Sequence, residues 1–330
     1  MDRQPPRHLD PERLRARREG LRAQRARRRR LLAVGALAAV IIAVAVVVAL
    51  AGGGSSGGPG HRSVARGGAR KRAAAGASGS GAASVGGTRG SAKPQAAPIL
   101  MYHVINPPPP GAPFPGLYVE PEEFAEQMHA LAHAGYHAVT MDQLWANWHE
   151  GAALPAGKPI VVSFDNGYQS QYSQALPVLR GLGWVGVESI QLTGLPPSQG
   201  GISPAQVRGL VAAGWELDTQ GFSHADLITL DASALHYQVA VARETVKRLY
   251  DVPVNWFCYP SGHYDATVVA AVQAAGYRGS TTVVSGWAHP SSDPDRLPRL
   301  RVLGGTSGAQ LLSEIAAVHG EAPPPESYSG

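Results

Sequence analysis

Four apolar runs in this sequence end on side chains that could move a proton or hold a polar ligand. "ILMYHVI" reaches Tyr102 and His103, and "VVSFDNGY" reaches Asp165, Asn166 and Gly167. "WELDTQGFSHADL" runs into Gln220 and His224, and "NWFCYPSGHYD" into Tyr259 and His263. A carboxylate among imidazoles suits hydrolysis, where one group takes a proton and another returns it. A centre of this kind normally has two carboxylates side by side. Here Asp165 is followed by the amide of Asn166, so the stretch reads as a working hydrolytic centre, an altered one or the shell of one.

The surrounding pattern says what must position these groups. Apolar runs predict strands over 98–104, 159–164, 185–190, 215–218, 255–258, 278–283 and 299–302. Helical spacing predicts helices over 121–134, 169–182, 204–213, 232–250, 265–275 and 307–318, with Phe124, Met128 and Leu131 on one face of the first. Ser203-Pro204, Asp231 and Asp265 supply start signals. Gly135-Tyr136, Gly183-Trp184, Gly214-Trp215 and Gly276-Tyr277 close helices, because glycine accepts the left-handed cap conformation. Repeated strand–helix units imply a parallel sheet. The expected fold class is α/β, a distorted (β/α) barrel of about seven parallel strands, in which function collects at the C-terminal ends of the strands. All four polar endings fall there.

Charge divides the 330-residue chain. Residues 1–30 carry twelve Arg against four acidic residues, residues 53–95 carry seven basic residues and no acid, and 96–330 hold ten basic and twenty acidic residues. The globular part is acidic, so no nucleic-acid partner is expected from the overall positive balance. Residues 31–51, "LLAVGALAAVIIAVAVVVALA", are uncharged and as a helix would span about 30 Å, one hydrocarbon thickness. With the Arg run at 27–30 before it, this is read as an uncleaved single-pass transmembrane anchor; cleavage as a signal peptide is the other reading. The expected organisation is a basic cytosolic segment 1–30, a transmembrane helix 31–51, a disordered Gly/Ser/Ala-rich linker 52–95, a folded domain 96–318 and a flexible tail 319–330. The protein would sit in the cell membrane as a monomer, its N-terminus cytoplasmic and its domain outside. The one cysteine, Cys258, excludes an intrachain disulfide.

Residues 98–303 resemble the polysaccharide deacetylase family, the NodB-homology or carbohydrate esterase family 4 domain. "SFDNGY" resembles its Asp-Asp-Gly motif, "TQGFSHADL" its His-Thr/Ser-x-x-x-His motif, "FCYPSGHYD" its Tyr-Pro-x-Gly segment and "RLPRLRV" its late basic motif. "ILMYHVI" resembles exported, circularly rearranged members, in which the motif with the acid histidine comes first. The resemblance implies a polysaccharide substrate carrying acetyl groups, chiefly N-acetyl, and a divalent metal, often zinc, held by one Asp and two His. It implies Asp165 as the base, His103 as the acid and Tyr259 as the oxyanion contributor. The metal positions fall on Asn166, Gln220 and His224.

Two of those three ligands depart from the pattern. An Asn/Gln/His set is neutral and lacks the anionic oxygen and second imidazole that hold zinc tightly, so metal is expected to bind weakly or not at all. Three readings stay open: an enzyme with weak metal or a ligand set shifted among Asp165, His224, His103 and His263; a catalytically inactive glycan-binding pseudoenzyme that keeps the cleft; or hydrolysis without metal. Trp145 and Trp148 read as core or cleft-edge packing more than as sugar platforms, Asp226 as a cap, and Cys258 as a buried small hydrophobe.

Overall fold

Period-two alternation sorts the core into two layers. In β1 (Ala97–Tyr102) Leu100 and Tyr102 pack against the helical shell, while Ile99 lies among the residues that fill the sheet's interior. In β3 (Lys158–Asn166) Ile160, Val162 and Phe164 join the shell, and Val161 packs with Ile99. Ser163 and Asp165 continue the Val161 row, so the interior turns from apolar to polar along the strand. Every residue of β1 is buried, as expected for a parallel strand covered on both faces. The computed structural model describes residues 92–193, 195 and 200–330. The basic segment 1–30, the apolar span 31–51 and the linker up to residue 91 lie outside the described residues. Among the described residues, no helix is long and apolar enough to cross a membrane.

The remaining strands are β2 (Tyr136–Ala138), β4 (Val187–Ile190), β5 (Glu216–Thr219), β6 (Trp256–Cys258), β7 (Gly279–Thr281), β8 (Trp287–Ala288) and β9 (Leu300–Arg301). The sheet runs β7-β6-β5-β4-β3-β1-β8, with β2 on β3 and β9 on β1, and only β8 is antiparallel. Leu297 bridges to Thr281 at the end of β7 while β9 pairs with β1. The 297–301 segment thus joins the sheet's two edges, a curled parallel arrangement that fits a (β/α) barrel. All seven expected strands are present within a few residues of their predicted bounds.

The helices are α1 (Pro121–His133), α2 (Met141–Glu150), α3 (Leu176–Gly181), α4 (Pro204–Ala212), α5 (Ala232–His236), α6 (Ala242–Tyr250), α7 (Ala266–Ala274) and α8 (Gly308–Ala317). Two predicted helices contain π-helical turns, at Gln171–Ala175 before α3 and Tyr237–Val241 between α5 and α6. Helix α2 has no counterpart among the predicted helices. A capping box between Thr140 and Gln143 starts it, and Met141 and Leu144 plug the N-terminal end of the barrel. Trp145 packs edge-on against Trp256, and the Trp148 indole donates to the Gln95 carbonyl at 2.6 Å. Both tryptophans lie at the end of the barrel opposite the strand termini that carry the polar residues.

The segment expected as a free tail is held. Tyr328 and Tyr264 exchange two backbone hydrogen bonds of 2.9 Å, and the Tyr264 hydroxyl donates to the Pro325 carbonyl at 2.7 Å. This pairing outweighs the local polarity that suggested fraying.

Two carboxyls meet at the plugged end. Asp218 accepts from the Trp256 N–H at 3.0 Å, and Glu216 accepts from the Asp142 N–H at the start of α2 at 2.9 Å. Burial, then the charge of Asp142, raises Glu216 to about 7; burial, then Glu216, raises Asp218. The folded state therefore holds protons that the unfolded chain releases near pH 4.5. The stability this contributes is complete below pH 4.5 and declines as pH rises towards 7, by up to about 1.4 kcal/mol per pH unit per proton. Glu216→Gln, which keeps an acceptor for Asp142, should flatten that decline. Urea unfolding at pH 5, 6 and 7.5 checks it: an unchanged slope would mean the carboxyl does not carry the proton.

Candidate active site

The catalytic and ligand residues expected from sequence come from four separated strand ends and line one cavity of about 370 Å³. His103, Asp165, Asn166, Gln220, His224 and Tyr259 are all on its wall, joined by Met101, Phe114, Tyr168, Ser261, Val283 and Arg301 among others. His263 is not; its Nδ1 lies 3.0 Å from the Asp226 carboxylate beside the site. Asp226 stands at the N-cap position of the short 3-10 turn Leu227–Thr229, as its reading as a cap expects, but its side chain partners His263 instead of the turn's N–H groups.

At the centre is a buried ion pair. Arg299, 1 % exposed, meets Asp165, 2 % exposed, with Nη1 donating to Oδ1 at 2.7 Å and Nη2 to Oδ2 at 2.9 Å. The guanidinium also donates through Nε to the Thr282 carbonyl at 2.8 Å and through Nη2 to the Cys258 sulfur at 3.3 Å. The Cys258 thiol in turn donates to Asp165 Oδ2 at 3.5 Å. Burial alone would raise the Asp165 pKa, but the charge and hydrogen bonds of Arg299 outweigh it and hold the carboxyl below its ordinary value. Asp165 is therefore ionised and fixed in orientation. Burial pushes the Cys258 thiol up to about 12, so it is a proton-bearing neighbour and not a nucleophile.

Gln171, fully buried in the π-helical turn, ties two strand ends together. Its Nε2 donates to the His103 carbonyl at 2.9 Å and the Asp165 carbonyl at 2.8 Å, while its Oε1 accepts from the Tyr168 N–H at 2.6 Å. The His103 ring keeps its Nδ1 enclosed without a partner, and burial lowers its pKa to about 4. His103 is thus neutral at neutral pH, able to accept a proton and charged only when something in the cavity favours the imidazolium. Tyr259 lines the cavity with both of its donors committed. Its hydroxyl goes to the Asp295 carbonyl at 2.9 Å and its N–H to the Thr281 carbonyl at 3.3 Å.

Backbone strain collects here. Among the described residues four non-glycine positions have positive φ, and three line this cavity: Asn166 at 77°, His224 at 44° and Ser261 at 57°. Such conformations persist where the surrounding structure enforces them, and they cluster at functional sites.

The three positions that would hold a divalent metal do not fit one. Gln220 Oε1 already accepts the Asn166 N–H at 3.1 Å, leaving Nε2, a donor, as the other group Gln220 can offer the cavity. Asn166 adds a neutral amide, and His224 is the one remaining strong ligand. Among the described residues no three His, Cys, Asp or Glu side chains are grouped to bind a metal ion.

Sequence reasoning reached the wall of this cavity and missed what holds it. Arg299 lies in a basic motif at the start of a predicted strand, and these two signals give it no partner; Cys258 reads only as a buried small hydrophobe, and Gln171 and Phe114 carry no role.

A curled parallel sheet with an ionised carboxylate and a neutral imidazole at its strand ends defines the general class, an α/β domain with a polar cavity at the C-terminal face. Comparison with known proteins narrows it. Residues 154–280 match the model of the polysaccharide deacetylase family. The chain is 25 % identical over 227 residues to YxkH of Bacillus subtilis (strain 168), which has a provisional polysaccharide deacetylase designation; the alignment covers 68 % of this chain and 78 % of that one. The structure of the deacetylase PplD from Streptococcus pyogenes, solved in complex with acetate, superposes with a TM-score of 0.62 at 23 % identity, covering 68 % of this chain and 99 % of that one. BC0361, a polysaccharide deacetylase from Bacillus cereus, gives 0.59 at 25 % identity, covering 67 % and 69 %. A polysaccharide deacetylase (NodB-like) domain is thus supported by both sequence and fold. The matched span contains Asp165, Asn166, Gln220, His224 and Tyr259, whereas His103 lines the same cavity from outside that span and Arg299, also outside it, pairs with Asp165 behind the wall.

Proposed function

We propose that this chain is a hydrolase of C–N bonds that removes acetyl groups, chiefly N-acetyl, from a cell-surface or cell-wall polysaccharide. In this reading the domain stands outside the cell, tethered through residues 31–51, and its motif order is the circularly rearranged one, with His103 first. The observation that supports it is the convergence of an ionised, Arg-clamped Asp165 and a neutral His103 on one cavity. As water adds to the acetyl carbon Asp165 takes its proton, and as the C–N bond breaks that proton passes through His103 to the departing amine. The cavity offers hydrogen-bond donors to the acetyl oxygen from Gln220 and Asn166, while Met101, Leu117 and Val283 receive the methyl group. A second reading, a glycan-binding protein without turnover, is favoured by one specific feature: the neutral Asn166/Gln220 pair where metal ligands are expected.

Acetate release separates the two. The full chain, incubated with N-acetylglucosamine oligomers with and without added zinc, should release acetate, and Asp165→Asn should lower the rate by about a hundredfold or more. Unchanged turnover in Asp165→Asn would remove Asp165 from the role of base. Saturable oligomer binding with no acetate under either condition would establish the second reading.

A further inference from the structure

Among the described residues the cavity groups no set of carboxylates and imidazoles for a cation, and it carries a cation of its own that has no ion pair. Arg301 lies on β9, in register with Met101 of β1, and both line the cavity. Arg301 is two residues from Arg299, so strand alternation puts both on the same face of the 297–301 segment. Their circumstances differ. Arg299 is fully paired with Asp165, whereas Arg301 is exposed and has no ion pair or side-chain hydrogen bond among the described residues. Among the described residues Asp165 is the one carboxylate on the cavity wall, and Arg299 neutralises it.

The remaining polar groups include N–H donors. Gln220 presents Nε2 because its oxygen is engaged, Asn166 presents an amide, and His224 an imidazole. An entering cation would meet the Arg301 charge without an anionic ligand to offset it. An entering anion would meet one unpaired guanidinium, the Gln220 amide N–H donors and groups of Asn166 and His224 that can also donate. A guanidinium binds a carboxylate through two parallel hydrogen bonds, a geometry a neutral sugar hydroxyl does not match.

We propose that this cavity recognises a carboxylate, with Arg301 as the specificity-determining residue, and that the natural glycan carries a carboxylate beside its acetyl group. The glycan part of this rests on the polysaccharide reading above; the carboxylate site does not. The same chemistry could come from free acetate, the product of deacetylation. His103 is close enough to sense Arg301, whose charge adds to burial in lowering its proton affinity. A carboxylate bound to Arg301 would share the cavity with His103 and Asp165.

The test uses the full chain, two tetrasaccharides and sodium acetate, with binding read by calorimetry at low and high salt. One tetrasaccharide alternates N-acetylglucosamine with glucuronate; the other is all N-acetylglucosamine. The charged one should bind about tenfold more tightly, and the preference should shrink as salt is raised. Arg301→Gln should bring the two affinities near parity, and Arg301→Lys should restore part of the preference. Because Arg301 is exposed, both variants should fold, and their unfolding midpoints check that. Equal binding of both saccharides by the unaltered chain overturns the carboxylate site and leaves the polysaccharide reading standing. Acetate binding that Arg301→Gln abolishes, with neither saccharide bound, keeps the site for acetate and overturns the polysaccharide reading. If no carboxylate source binds, the proposal fails with it.

Discussion

Replacing Arg299 with alanine should lower the unfolding free energy by about 3–5 kcal/mol, the cost typical of removing one partner from a buried ion pair. The magnitude follows from what is left behind. Asp165 is 2 % exposed, and Cys258 would be its one remaining side-chain donor. A thiol is a weak donor and does not replace two charged hydrogen bonds. The pH dependence should also change sign. In the unaltered chain Asp165 has a depressed pKa, so its stabilisation is present above the unfolded value near 3.8 and is lost as pH falls through the folded one. Without Arg299, burial dominates and raises the Asp165 pKa, so the variant should regain stability relative to the unaltered chain as pH falls from 7 to 5. Urea unfolding at the two pH values measures both effects. The double variant Asp165→Asn with Arg299→Met should be less destabilised than Arg299→Ala alone, since no uncompensated charge remains. A loss below about 1 kcal/mol at pH 7 would show that water reaches Asp165 and screens it.

That pair also marks where sequence reasoning stopped. The seven main strands were legible because a buried parallel strand is a short apolar run bounded by glycine or proline, and this chain punctuates them regularly. The cavity wall was legible for a related reason. In a parallel barrel every strand delivers its last residues to the same end, so polar strand endings are brought together by topology alone. Arg299 was different, because its partner is 134 residues away and nothing local links them. "RLPRLRV" contains three arginines with three fates: Arg296 pairs with Asp293 at the surface, Arg299 is buried against Asp165, and Arg301 lines the cavity. Strand alternation explains why 299 and 301 share a face, but the break in pairing between Leu297 and Leu300 hid the register. Helix α2 was legible in principle, since Thr140 and Gln143 signal its start and Met141, Leu144, Trp145 and Trp148 keep helical spacing. Gln171 could not be read at all: its importance lies in tying the β1 and β3 ends through their carbonyls, which spacing does not encode.

Placing the two expected ligands, Asn166→Asp with Gln220→His, should turn the cavity from one expected to bind metal weakly or not at all into one that holds about one zinc per chain. Two ligands are regained, one an anionic oxygen and one an imidazole, so an affinity gain on the order of a thousandfold or more is expected. The backbone permits it. Asn166 sits at φ 77°, a left-handed conformation that aspartate tolerates nearly as well as asparagine. The histidine costs something: a neutral imidazole has one lone pair to give, so binding zinc would release the Asn166 N–H that Gln220 now satisfies. Each single variant should therefore gain less than half of the logarithmic effect. Zinc content after dialysis reads the outcome, and acetate release should rise with it. If the double variant takes up no more zinc than the unaltered chain, positions 166, 220 and 224 do not converge on one point, and the motif alignment is wrong. The same substitution should also weaken recognition of a carboxylate, because it places a new negative charge in the cavity that Arg301 lines. A site cannot favour both a cation held by a carboxylate at position 166 and an anion held by a guanidinium without each charge compensating the other, so metal gain and loss of carboxylate preference should appear together.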